Sequence, residues 1–230
     1  MTKSYDVWWQ KDQESDDDMA RDHQEAWERT IEMLDTSDIK GKTILDVGCN
    51  QGGFLRKLYD TTPFKEGVGI DLARLSLEKA ETLKGERPLT YYLTDKPQET
   101  NRTFDTAVST SVLYLIEDIP QHAQDLKEVL KPGGVYYASF ADLTNNPSRQ
   151  FMDDTINQYG ATPSQNHSLK HIVDSFVDAG FEVAVMKEPV PDVIDLTHYS
   201  DFYLSPNDYL QTLYEESFLI KASVKEGIGK

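Results

Sequence analysis

Apolar positions along the chain follow two periods, and the periods alternate. Short runs at 43–47, 67–72, 89–94, 104–109 and 135–140 have strand composition and strand length. Between them the spacing turns helical. A helix starts over 54–59; Leu75, Leu77, Ala80 and Leu83 mark a second over 73–83, stopped by Gly85. A third covers 119–130 and is ended by a predicted turn at Lys131, Pro132, Gly133 and Gly134. Strands alternating with helices at this spacing predict an α/β fold built on a parallel sheet covered on both faces.

The pattern changes at both ends. Met19, Ala26, Trp27, Ile31 and Leu34 predict a helix within 16–34. Beyond Asp142 a loop precedes a helix over 150–159. Ser168 is placed to cap a helix over 169–179, and Gly180 lies just past its end. Strands follow at 181–186 and 218–224. The long acidic, aromatic segment between them is of a length that carries function or structure of its own. The organisation read from this is one domain over 1–230. It comprises a helical arm (1–38), a core (39–187), an insertion over the substrate pocket (188–216) and a last strand (217–225).

Charge narrows the function. The 230 residues carry a net charge of −17. Residues 1–38 hold 12 acids against 4 bases, and 188–218 hold 7 acids and no base. Such a field repels polyphosphate, so nucleic acid is not expected as a partner of the isolated chain. No run approaches the ~18 apolar residues of a membrane span. With the single cysteine, Cys49, the expectation is a cytoplasmic protein without disulfides.

Three acids sit where predicted strands end: Asp46, Asp71 and Asp95. Ligands of open α/β sheets bind at the carboxyl ends of the strands, and an acid closing the second strand binds ribose hydroxyls. An adenosine-containing cofactor is therefore implied. The loop after Asp46 runs Gly48-Cys49-Asn50-Gln51-Gly52-Gly53. A dinucleotide fingerprint needs glycine where Asn50 stands, and Asp46 would add negative charge beside a pyrophosphate. S-adenosylmethionine removes the conflict, because it has no phosphate and carries a sulfonium and an ammonium.

At this point the chain resembles the class I S-adenosylmethionine-dependent methyltransferases, over roughly 43–186. Asp46, Gly48 and Gly52 match the first motif, acid-x-G-x-G-x-G, with Asn50 at the middle glycine. The resemblance implies a Rossmann-like three-layer sandwich whose seven-stranded sheet is mostly parallel. Its antiparallel last strand lies between the fifth and sixth. It further implies that Asp71 holds the ribose and Asp95 contacts the adenine. The cofactor-binding set is then Asp46, Gly48, Cys49, Asn50, Gly52, Asp71, Leu72, Thr94, Asp95 and Ser109.

For the substrate pocket the candidates are Tyr5, Trp8, Trp9, Tyr114, His198 and Tyr199. The histidine that many family members carry after the fourth strand is Leu115 here, with Tyr114 beside it. No catalytic base is assigned; Tyr114 and His198 are the candidates. His122 and His171 are expected to face solvent, and His23 to lie near the apolar face of the first helix. No group of side chains has metal-ligand spacing. The function expected is methyl transfer to a neutral or cationic small molecule. Alternatives are a non-catalytic cofactor-binding module, a nicotinamide-dependent oxidoreductase, and a tRNA-modifying enzyme with a basic partner.

Overall fold

The computed structural model describes residues 4–11, 17 and 21–225. Helix α1 (Gln24–Met33) and a short α2 (Thr36–Ile39) lead into β1 (Thr43–Val47), α3 (Gly53–Thr61), β2 (Glu66–Asp71), α4 (Arg74–Leu83) and β3 (Leu89–Leu93). Then come β4 (Phe104–Ser109), α5 (Ile119–Val129), β5 (Leu130–Ala141), α6 (Arg149–Tyr159), α7 (Leu169–Asp178) and β6 (Phe181–Lys187). The insertion carries α8 (Pro206–Gln211), and β7 (Ser217–Val224) closes the chain. Residues 12–16 and 18–20, which include the start of the predicted first helix, lie outside the described residues.

The strands form one sheet in the order β3-β2-β1-β4-β5-β7-β6. β1 through β5 pair in parallel, and β7 runs antiparallel to both β5 and β6. This is the Rossmann-like topology that the resemblance implied. The order reverses beside β1, at the β1–β4 step, the place where such sheets open a crevice.

Strand period divides the core into two layers. Leu45 and Val47 of β1 pack with Leu126 of α5 and Ile172 and Phe176 of α7. Ile44 packs on the opposite face with Phe54, Leu55 and Leu58 of α3 and Ile31 of α1. Asp46 is two residues from Ile44 and so falls on that same face, at the strand end beneath the start of α3.

Two expectations need correction. Lys131, Pro132, Gly133 and Gly134 do not separate a helix from a strand. They lie inside β5, as an excursion between the pairs Phe104↔Leu130 and Thr106↔Val135. A Cβ at Gly134 would stand 2.8 Å from the Lys131 carbonyl, so the bulge closes only over glycine. His122 is not solvent-facing. It is buried on the sheet side of α5, and its Nε2 lies 3.1 Å from the Tyr136 hydroxyl. His171 is exposed, as expected.

The edge of the fold far from the loop is tied by Asp105. Burial raises its carboxyl, but donors from Lys131 (2.8 Å), the Thr43 amide (2.8 Å) and the Thr43 hydroxyl (2.7 Å) outweigh that and bring it down to about 2. Its ordinary value is 3.8. A depressed folded-state value means stability present above about 4 and lost as pH falls towards 2. Asp105→Asn is expected to be less stable at pH 7, and the gap to wild type to close as pH falls through that window. Denaturant melts at pH 7, 4 and 2.5 would show it; a gap independent of pH would refute it.

Candidate active site

A cavity of about 1120 Å³ opens at the carboxyl ends of β1, β2 and β4. Its floor is the loop between β1 and α3. Gly48 and Cys49 turn back on β2, both amides donating to the Ile70 carbonyl at 2.9 and 3.1 Å. The turn then takes Asn50 and Gly52 into positive φ, at 45° and 68°. Asparagine tolerates that conformation better than most side chains. Here its own amide oxygen accepts the Gln51 amide at 2.6 Å, which braces the turn. No side chain could replace Gly52, where a Cβ would collide with the Tyr91 ring.

Asp71 ends β2 and holds the loop. Its Oδ2 accepts the Asn50 amide at 2.7 Å, and its Oδ1 accepts the Ala73 amide at 2.8 Å. Asp46 is different: it is buried, and its Oδ2 has no hydrogen-bond partner among the described residues. Burial first, and the Asp71 charge second, push its carboxyl well above the usual range. An ionised carboxylate held there without a partner is costly, so the site favours a cationic donor beside it.

Asp46, Gly48, Cys49, Asn50, Asp71, Leu72, Thr94 and Asp95 all line the cavity. Thr94 is buried with its hydroxyl donating to Glu99 at 2.6 Å, whereas Asp95 is exposed at the mouth. Gly52 and Ser109 are not lining residues; Gly53 and the pair Thr110 and Ser111 take those places. Ser109, the last residue of β4, has its hydroxyl 2.5 Å from the Tyr136 hydroxyl of β5.

The N-terminal segment crosses the cavity as a strap. Tyr5 bridges to Ala73, its amide donating to the Leu72 carbonyl at 2.9 Å. Trp9 bridges to Gly160, and the Ala161 amide donates to the Trp8 carbonyl at 2.8 Å. The strap therefore runs from the carboxyl end of β2 to the end of α6. Trp8 stacks on Trp9 (5.3 Å between ring centres) and meets Tyr114 edge-on (6.5 Å). Trp9 also packs on Tyr159 (5.6 Å) and on Phe202 of the insertion (5.9 Å).

The insertion is pinned by a buried network. The Asn146 side chain donates to the Asp208 carbonyl (2.9 Å), Thr212 Oγ1 (3.0 Å) and Glu216 Oε2 (2.8 Å). This brings Phe202 and Tyr203 to the wall. His198 and Tyr199, predicted at the pocket, are not among its lining residues, and His198 is exposed. They belong to a turn at 199–201, and the neighbouring residues 201–203 reach the cavity instead.

Among the lining residues that the sequence reading did not place at the pocket are His167, Arg149, Glu188 and the buried His122. His167 Nε2 donates to the Ile116 carbonyl at 2.6 Å. In the neutral ring this leaves Nδ1 as an acceptor. A histidine just before the helix-capping Ser168 was the available signal. Glu188 has its carboxyl raised by burial.

A family model described as a methyltransferase domain matches residues 19–185. Among curated proteins, a tRNA U34 carboxymethyltransferase of Hydrogenovibrio crunogenus is 34% identical over 117 residues, covering 47% of this chain and 34% of that protein. A malonyl-[acyl-carrier protein] O-methyltransferase of Anoxybacillus flavithermus is 28% identical over 105 residues, 45% of this chain and 40% of its own length. The chain thus spans well under half the length of these relatives. Among solved structures, a putative methyltransferase in complex with the Haloferax volcanii Trm112 activator has a TM-score of 0.73 at 18% identity. It covers 92% of this chain and 94% of that one, a likeness of fold. The matched span takes in the glycine loop and all three strand-end acids, and the chain belongs to the methyltransferase-domain family, the class I S-adenosylmethionine-dependent methyltransferases.

Proposed function

We propose that this chain transfers a methyl group from S-adenosylmethionine to a small molecule, held between the glycine loop and the aromatic strap. The observation that carries the reading is Asp46, a buried carboxylate with an unpartnered oxygen at the wall of the cavity. It suits a cofactor with a cationic end and no phosphate. When bound, that cofactor supplies a methyl group on a sulfonium, open to in-line displacement. The chain's residues bind and orient. Asp46 would lie near the cationic end, with Gly48 and Asn50 forming the close-packed turn. Asp71 would accept from the ribose diol. Thr94 and Asp95 would border the adenine. The strap and insertion would exclude water and hold the acceptor in line.

Support for a small, neutral or cationic acceptor comes from charge. Along the cavity wall acidic side chains outnumber Lys11, Lys96 and Arg149, and the whole chain is at −17. The tRNA-directed relatives favour a second reading, in which the acceptor sits on an RNA delivered by a basic partner. Labelled methyl transfer into an extract, fractionated into small molecules, RNA and protein, separates the two. Label confined to the small-molecule fraction is expected; label in RNA would overturn the small-molecule reading.

The cofactor half has its own test. Asp71→Ala removes an acceptor of charge-assisted hydrogen bonds, a loss of about 1–3 kcal/mol in S-adenosylhomocysteine binding. Titration calorimetry would read it, and an unchanged Kd would undo the assignment of Asp71 to the ribose.

A further inference from the structure

Trp8 presents a problem that the cofactor does not solve. Its Nε1 is buried and has no hydrogen-bond partner among the described residues. Indole is a donor only, and buried tryptophan N–H groups normally find an acceptor. An unpaired one gives up the hydrogen bond it would make in water. Nothing in the backbone forces the ring there, since the strap is secured through main-chain bonds, including Ala161 to the Trp8 carbonyl. The side chain itself lines the cavity, between Trp9 and Tyr114.

The surroundings limit what could satisfy it. The neighbours are rings: Trp9, Tyr114 and, behind Trp9, Tyr159 and Phe202. Such walls bind flat rings by offset or edge contacts. The cavity, at about 1120 Å³, exceeds the ~300–1000 Å³ usual for one ligand, so it has room for a second molecule beside the cofactor. The prevailing acidity along its wall, with Asp153 3.9 Å from Arg149, disfavours a carboxylate or phosphate.

We infer that Trp8 determines acceptor specificity: its indole N–H donates to a neutral oxygen on an aromatic acceptor seated against Trp9 and Tyr114. This rests on the small-molecule reading above and adds to it the substrate class and the recognising group. The strap is then a part of the binding site that selects among acceptors, with the oxygen recognised at Trp8 and the ring at its neighbours.

The test uses the full chain saturated with S-adenosylhomocysteine and three flat bicyclic probes. These are coumarin, with a neutral carbonyl oxygen; naphthalene, of similar shape without one; and coumarin-3-carboxylate, an anion. Ligand-observed NMR titration gives their affinities. Wild type should bind coumarin about tenfold more tightly than naphthalene, equivalent to about 1.4 kcal/mol, and the anion weakly. Trp8→Phe keeps a ring in the wall but loses the donor. It should equalise coumarin and naphthalene while leaving S-adenosylhomocysteine affinity unchanged. Trp9→Phe, the same change one residue on, should preserve the tenfold preference, which separates the donor from general damage to the strap. A preference that survives in Trp8→Phe, a stronger preference for the anion, or no binding of either neutral probe overturns the inference. Failure of the wild type to bind S-adenosylhomocysteine would instead remove the reading it rests on.

Discussion

Gly48→Ala is expected to destabilise the protein by roughly 2–5 kcal/mol and to weaken S-adenosylhomocysteine binding with it. Two costs add. The residue holds φ at 75°, a left-handed conformation that costs an L side chain about 1–2 kcal/mol. A Cβ built there stands 2.5 Å from Val112 Cγ2 and 3.0 Å from its Cγ1. Relieving such an overlap typically costs about 1–3 kcal/mol. Val112 lines the cavity, so displacing it disturbs the cofactor's space as well as the loop. The double variant Gly48→Ala/Val112→Ala separates the costs. The Val112 Cβ is 3.4 Å from the new methyl, an ordinary contact, so the steric part should vanish and the backbone part persist. Thermal melts and calorimetric titration of the four proteins would measure both. A single variant with unchanged Tm and Kd would show that the loop does not hold this conformation.

Acidification should reveal His122. Burial lowers its imidazole from 6.5 to about 4, against a small opposing pull from Asp125 on the same helix. Tyr136 of β5 and Phe176 of α7 pack against the ring, at 5.6 and 6.3 Å between centres. The folded protein therefore resists a proton that the unfolded chain accepts. Stability from the neutral ring is complete above about 6.5 and is lost as pH falls to about 4. Over that interval the loss is on the order of 3 kcal/mol, at 1.36 kcal/mol per unit. His122→Leu keeps an apolar side chain of similar bulk at the site, and the Tyr136 hydroxyl keeps its bond with Ser109. The variant should lack this part of the pH dependence. Urea midpoints between pH 7 and 4 would show parallel curves for the two proteins if His122 were already charged in the fold.

Both predictions concern residues that the chain's pattern treats unequally. Gly48 was legible, because a glycine directly after an acid-bearing strand has a local reason to be there. His122 was not. Helical spacing tells which residues share a face of α5, but a polar side chain on that face reads as solvated unless its partner is known. The partner, Tyr136, is supplied by a strand further along the chain, and sequence spacing carries no information about that meeting. The turn predicted at Lys131 to Gly134 failed for a related reason. Proline and glycine do mark a break, but pairing with β4 on both sides of it made the break a bulge within a longer strand.

The same division runs through the site. Alternating periods, the loop from Gly48 to Gly53 and the strand-end acids are local features. They determined the fold class, the position of the crevice and the kind of cofactor, because backbone conformation and strand ends are set by neighbours in the chain. Which of the candidate side chains reach the cavity was decided by tertiary structure. The strap reaches Gly160 and the insertion reaches Asn146 through long-range bonds, so Trp8 and Phe202 arrive at the wall while His198, in the same insertion, stays outside. His167 joins them because the Ile116 carbonyl, far away in sequence, holds its ring. This wall of the cavity is assembled from separated segments, and only folding brings them within contact distance.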